Sequence, residues 1–128
     1  MPLMQEEKAT RKALVLKPGE EILHIERMAE LRSAVNMKMG KLVVTNQRII
    51  YMFQKINMFG LIGKLMGMDK LIIVFDEPHS AVKGWSQGSH GPNKRVLELD
   101  LGKEKPIRFV LHRKYEETNA DLKQLLGR

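Results

Sequence analysis

This sequence predicts a mainly β chain closed by a C-terminal helix, on three observations. Short runs rich in β-branched and aromatic residues recur about seven times between turn-forming residues. Within these runs apolar and polar side chains alternate, as they do in a strand with one face buried. Near the end the period changes: Tyr115, Leu122, Leu125 and Leu126 fit a repeat of about 3.6 residues, and Gly127 stops it.

Composition narrows the setting. At 128 residues the chain suits one domain with a core of its own. Cysteine is absent, which excludes disulfides and thiolate metal sites and suits a reducing cytoplasm. Glu6, Glu7, Lys8, Arg11 and Lys12 break up any secretory apolar stretch, and no apolar run approaches a membrane-spanning length. The net charge is +7, and residues 36–70 concentrate it: Lys38, Lys41, Arg48, Lys55, Lys64 and Lys70 face Asp69 alone. Such a balance favours anionic partners or a solvated basic face.

The elements follow in order. Residues 1–16 read as an N-terminal extension, with a short helix over 5–16 suggested by Ala9, Ala13, Leu14 and Leu16. Lys17-Pro18-Gly19 breaks it, and the domain proper spans 17–128. A first strand is expected from Glu21 to about Arg32, with Leu23, Ile25, Ala29 and Leu31 toward the core and His24, Glu26, Met28 and Glu30 outward. Ser33 to Lys38 links it to a second strand, Met39 to Thr45. Asn46-Gln47 is a tight turn into a third, Arg48 to Lys55. Residues 56–70 are strongly apolar but interrupted by Gly60, Gly63 and Gly67. Were they helical, Met58, Phe59, Ile62, Leu65 and Met66 would share a face. A fourth strand is expected over Leu71 to Asp76 and a short fifth around Ala81 to Ser86, with a loop from Gln87 to Asn93. Lys94 to Leu101 and the run after Pro106 form a hairpin, burying Leu97, Leu99, Leu101, Ile107, Phe109 and Leu111. An amphipathic helix then covers Tyr115 to Leu126.

Two stretches carry a family resemblance. The first is Pro18-Gly19-Glu20 at the entry to the first strand. The second is Gly40, Leu42, Val43, Thr45, Asn46, Arg48, Ile49, Ile50 and Tyr51. With the element order, they resemble the pleckstrin-homology-like superfamily, in particular its GRAM and short bacterial branches. The resemblance covers about residues 17 to 126. It implies a small barrel of two near-orthogonal antiparallel sheets, capped by the C-terminal helix. The motif residues themselves suggest folding roles: a backbone bend at Gly40, turn chemistry at Thr45 and Asn46, and an acidic partner or apolar packing for Arg48.

The resembled fold gathers the loops after the first, third and sixth strands at one rim. On this assignment the rim carries Arg32 and Lys38, then Lys55, Lys64 and Lys70, then Lys103 and Lys105. Between the lysines project Met58, Phe59, Leu61, Ile62, Leu65 and Met66. An apolar protrusion of this kind marks an interface. The expected function is therefore a non-catalytic interaction module contacting a protein partner, or another copy of itself as a homo-oligomer, through loop 56–68. The alternative is peripheral binding to an anionic membrane surface through the same loop, where flanking lysines contribute about 1 kcal/mol each. Arg32, Lys38 and Lys41 lack the Lys-x(n)-Lys/Arg-x-Arg spacing that phosphoinositide-binding relatives show.

Other chemistries find little support in the residues. His24, His79, His90 and His112 lack the close pairing of zinc-binding helices, and His24 and His112 fall on outward strand faces. Asp76 and Glu77 are adjacent, so a strand points them to opposite faces, a poor arrangement for acid–base work. Gly60-Leu61-Ile62-Gly63-Lys64 lacks the rest of a phosphate-binding loop. Aromatic residues make up 5% of the chain, too few for a nucleic-acid stacking platform. No enzyme activity, cofactor or metal is expected. Trp85, between Gly84 and Ser86, reads as a structural residue.

Overall fold

The computed structural model describes residue 10 and residues 14–33, 35–55 and 70–128, with the backbone alone at 54, 55, 70 and 71. Expectations for residues 1–9, 11–13 and 56–69 lie outside these described residues. Seven strands are present: β1 (Ile22–Leu31), β2 (Met37–Thr45), β3 (Arg48–Lys55), β4 (Lys70–Pro78), β5 (Gly84–His90), β6 (Asn93–Asp100) and β7 (Ile107–Leu111). A 3-10 turn, His79–Ala81, precedes β5, and the helix α1 spans Tyr115–Leu126. All neighbours are antiparallel, in the order β4-β3-β2-β1-β7-β6-β5.

β1 is the strand that both halves share. Its whole length pairs with β2, from Ile22↔Thr45 to Leu31↔Met37. Its last turns also pair with β7, through Met28↔Leu111 and Glu30↔Phe109. Hydrogen bonding is therefore continuous through one curled seven-stranded sheet. Its concave face holds a core of Met28, Leu42, Val44, Ile49, Tyr51, Leu97, Leu99, Phe109 and Leu111, closed by Leu122 of α1. Tyr51, Phe75 and Phe109 form its aromatic centre, with Tyr51 and Phe109 ring centroids 4.8 Å apart.

The faces of β1 differ from expectation. Met28 is the fully buried core residue, and Leu23 is exposed. A register irregularity between Ile22 and His24 marks the start of the strand. Ala29 and Leu31 are buried, but on the parity of Ile25, which packs on the opposite side of the sheet. That convex side has its own apolar cluster: Val43, Ile50 and Met52 under Leu14, with Leu16, Ile22 and Ile25 at its margin. β3 is thus buried on both faces, the physical meaning of its nearly unbroken apolar run.

Three strand limits also shift. β2 starts at Met37, so Lys38 lies on a strand rather than in a loop. β4 runs on to Pro78. β5 covers Gly84–His90, placing most of the expected loop inside a strand. The glycines there serve packing: a Cβ at Gly88 would collide with the Glu98 carboxylate, which lies across β5 from β6. Gly91, at φ 61°, makes the turn into β6.

The two motif stretches fold onto each other. Arg48 Nε donates to Glu20 Oε2 at 2.7 Å and Arg48 Nη2 to Glu20 Oε1 at 3.0 Å. Thr45 Oγ1 donates to Glu20 Oε2 at 2.6 Å, and Arg48 Nη1 to Asp76 Oδ2 at 2.6 Å. The Asn46 carboxamide bridges the Gly19 carbonyl and the Glu21 N–H, both at 2.9 Å. Gly40 is needed for close approach: an added Cβ would collide with the Met52 carbonyl and lie 2.7 Å from the Tyr51 hydroxyl. That hydroxyl accepts from the Glu30 N–H at 3.1 Å and lies 2.8 Å from the Met28 and Lys38 carbonyls.

α1 carries Glu116 and Glu117 in its first turn and Lys123 in its last, matching the helix dipole. Gly127, at φ 68°, ends it, its N–H bonding back to Gln124. The Trp85 indole donates to Asn119 Oδ1 at 2.8 Å, tying α1 to β5, and this is the structural role expected for Trp85.

Candidate interaction site

Strand directions bring the β1–β2, β3–β4 and β6–β7 connections to the same end of the sheet. β3 and β4 finish in the rung Lys55↔Lys70, and the backbones of both lysines are in place on either side of residues 56–69. Met58, Phe59, Leu61, Ile62, Lys64, Leu65 and Met66 lie outside the described residues, as do the side chains of Lys55 and Lys70.

The described part of this end sets exposed apolar side chains among the exposed polar residues of the β1–β2 and β6–β7 connections. Val35, at the β1–β2 hairpin, is 95% exposed, and Met37 and Met39 are 49% and 55% exposed along β2. On β4, Ile72 and Ile73 are 36% and 40% exposed, opposite Phe53 and Met52. Met37, Met39 and Ile73 fall on the convex parity of the sheet with Val43 and Met52. Beyond the Arg27↔Lys41 rung, the convex face thus carries apolar side chains again at the hairpin end. Sequence reasoning missed these five residues. The signal was present in Met37-Lys38-Met39, where a strand alternates two large apolar side chains with a lysine.

The expected cations are partly engaged. Arg32 donates to Glu30 Oε1 at 3.2 Å, and its guanidinium lies 5.6 Å from the Phe53 ring centre, so half of its role is packing. Lys38 is half-buried, and its carbonyl accepts from Tyr51. Lys103 is exposed, 3.9 Å from Glu77, and Lys105 is exposed as well. Among the described cations of the expected set, Arg32 and Lys38 stand three residues to either side of Val35 in the chain.

Two ionic clusters elsewhere are structural in form. In the first, the hydrogen bond from Arg48 to Glu20, joined by Thr45 and the Lys17 N–H, outweighs burial and holds the Glu20 carboxyl at about 2. The same contact raises Arg48. In the second, burial pushes Glu26 upward, but hydrogen bonds from His24, Arg113 and Thr118 overcome it and leave the carboxyl at about 2. Arg113 bonds Asp121 too, so β1 is joined to α1 through one guanidinium. His24 is accordingly not the outward, solvated residue expected, because its ring meets Glu26 at 3.2 Å and Asp121 at 3.9 Å. The ligand atoms of His24, Glu26 and Asp121 lie within 4.8 Å of one another. Arg113 already supplies the cation for both carboxylates, so the trio fits a β1–α1 clamp better than a metal centre. His79 donates to the Thr45 carbonyl at 2.8 Å, and Asp76 and Glu77 go to different partners, Arg48 and Lys103. No described helix is long and apolar enough to cross a membrane.

No family model matches this chain, and no curated protein matches it. Solved structures do. The C-terminal domain of an unknown protein from Leishmania infantum aligns with a TM-score of 0.67 at 14% identity, covering 96% of this chain and 99% of that one. The Vps36 N-terminal PH domain aligns with a TM-score of 0.54 at 15% identity, covering 88% of this chain and 83% of that one. At such identities the similarity concerns the fold, and the fold is pleckstrin-homology-like.

Proposed function

We propose that this chain is a non-catalytic interaction module whose contact surface is the hairpin end of its sheet, and that its partner is a protein, another copy of the chain included. A fold of this kind serves interaction with proteins or lipids in general. The observation that carries the reading is the exposure of Val35, Met37, Met39, Ile72 and Ile73 beside the ends of β3 and β4, the strands that flank residues 56–69. Phe59 and Ile62, with Met58, Leu61, Leu65 and Met66, would extend this surface, and Lys64 and Lys70 would orient it. Methionine suits such a role because its flexible side chain adapts to different partners.

A second reading has its own support. Val35 stands on a hairpin between Arg32 and Lys38, an arrangement that suits insertion into an anionic lipid surface.

One pair of experiments separates the two. Light scattering over a range of concentrations should give a mass above the monomer for the wild-type chain, and the monomer mass for Met37→Asp/Met39→Asp and for Phe59→Asp/Ile62→Asp. Sedimentation with phosphatidylcholine vesicles containing phosphatidylserine should show no binding at low or high salt. Salt-sensitive pelleting lost in Val35→Asp, with a monomer at all concentrations, would replace the protein reading by the membrane one.

A further inference from the structure

β4 and β5 stand at the two ends of the strand order, so each has one backbone edge with no strand beside it among the described residues. The two edges are not alike. β4 carries features that discourage pairing with another chain, namely Lys70, Asp76, Glu77 and Pro78. β5 reads Gly-Trp-Ser-Gln-Gly-Ser-His, with no proline and no Lys, Arg, Asp or Glu. Its register with β6 is regular from Gly84↔Asp100 to Gly88↔Val96, and the irregularity comes only afterwards, between Gly88 and His90. Ser86 and Gln87 are exposed, and a Cβ added at Gly84 would meet nothing within 4 Å. Gly84–Gly88 is therefore an accessible, unguarded edge.

Charge is laid out along this edge in a fixed order. At the Gly88 end, a groove of about 580 Å³ is lined by Lys94 and Arg108. Arg108 belongs to β7, yet its guanidinium reaches across β6 and donates to the Ser89 carbonyl. Glu98 lies 3.4 Å from Arg108 and offsets part of its charge, whereas exposed Lys94 has no acidic partner among the described residues. At the Gly84 end, a groove of about 310 Å³ is lined by Asp100, Lys103 and Glu104. Lys103 lies 3.9 Å from Glu77, and exposed Glu104 has no cationic partner among the described residues. Glu98 lines both grooves and stands between them. The edge is thus basic at one end and acidic at the other.

An edge of this kind complements itself. Antiparallel pairing about a two-fold axis through Ser86 sets Gly84 of one copy opposite Gly88 of the other, and Trp85 opposite Gln87. Lys94 and Arg108 then lie toward the partner's Asp100 and Glu104, and symmetry repeats the match at the other end. Neighbouring strands stand about 4.8 Å apart, so the opposed charges fall within roughly the 10 Å over which salt of about 0.1 M screens them. Parallel pairing would set like charges side by side.

We propose that β5 is a contact edge for a second copy of this chain, joined antiparallel about Ser86 and steered by the opposed charges at its two ends. One short strand edge belongs with the small interfaces, below about 1,200 Å² in all, where contacts are transient. The pair therefore forms and separates, and covalent trapping reads it where mass does not. The surface is separate from the hairpin end and does not rest on the function proposed above.

The chain has no cysteine, so an introduced thiol is unique. Full-length Ser86→Cys is compared with full-length Gln124→Cys, an exposed position on α1. Both carry Met37→Asp/Met39→Asp, which removes any contact at the hairpin end. In the paired state the two Cα atoms at position 86 stand about 4.5–5.5 Å apart, within the span of a disulfide. Under mild copper-phenanthroline oxidation at low salt, Ser86→Cys should form the covalent dimer several-fold faster than Gln124→Cys, and high salt should remove most of the difference. Adding Lys94→Glu or Glu104→Lys should also remove it, because either sets like charges across the axis. Lys94→Glu/Glu104→Lys in one chain exchanges the two ends and should restore it. Equal rates for Ser86→Cys and Gln124→Cys, in chains whose circular dichroism is unchanged, would overturn the pairing. A fast Ser86→Cys dimer indifferent to salt and to both charge reversals would overturn the steering and the antiparallel arrangement that it selects.

Discussion

At the scale of single residues, the buried Glu20–Arg48 pair is the most consequential contact. Its parts come from the two halves of the motif, and removing one leaves an uncompensated charge next to the core. Arg48→Met should cost about 3–5 kcal/mol in urea unfolding, the range for breaking a buried pair from one side. Glu20→Gln/Arg48→Met together should cost less than the sum of the single changes, because neither partner is then stranded. Tyr51→Phe removes the hydroxyl that serves the Glu30 N–H and the Met28 and Lys38 carbonyls. About 1–3 kcal/mol should be lost. The carboxyls of Glu20 and Glu26 also fix a pH dependence. Both sit at about 2 in the folded chain, below the ordinary 4.5. As pH falls, the unfolded chain takes up these protons first. The stability is full above about 4.5 and drains away as pH approaches 2, at most about 3 kcal/mol for each group. The single tryptophan, Trp85, packs against α1 and reports the event by fluorescence. Glu20→Gln should leave a shallower acid transition carried by Glu26.

At the scale of elements, α1 and the segment around Leu14 are docked in different ways. α1 is tied by Leu122 in the core, by the Trp85 indole, and by Glu26 through Arg113 and Thr118. Arg113→Met should therefore loosen the helix and blue- or red-shift Trp85 emission before the sheet unfolds, whereas Leu14→Ala should leave that emission unchanged. These elements differ in how far they could be read. The strand count and the limits of α1 were legible because alternation and the 3.6-residue period are strong where one face is buried. β5 was not, since Gly88 and Ser89 look like loop until Glu98 is seen lying across Gly88. The face of β1 was misread because Leu23 and Ile25 are better hydrophobes than Met28, yet Met28 is the one that meets Leu42 and Phe109. The cover of the convex face was half legible. Leu14 and Leu16 stood out as apolar, but nothing in a linear pattern shows that Val43, Ile50 and Met52 need a cover.

For the whole molecule, the proposed contact depends on which apolar side chains the fold leaves uncovered. Loop 56–68 attracted attention by composition, whereas Met37 and Met39 emerge only when the β1–β2 register shows which way they face. A mass above the monomer that falls in Met37→Asp/Met39→Asp, with unchanged acid and urea transitions, would assign those methionines to a partner rather than to stability. Removal of exposed apolar area should leave unfolding within about 0.5 kcal/mol of wild type.

The strand shared by both halves has a consequence for how the chain is born. β1 through β3 can form as successive hairpins soon after synthesis, since each pairs with its neighbour in the chain. Met28 must nonetheless wait for Leu111, which is made near the end. Until then the concave side of the nascent meander lies open, with Tyr51 and Leu42 unshielded. Closure by the last hairpin and α1 is then the slow, committing event, as expected for pairings between distant parts of a chain.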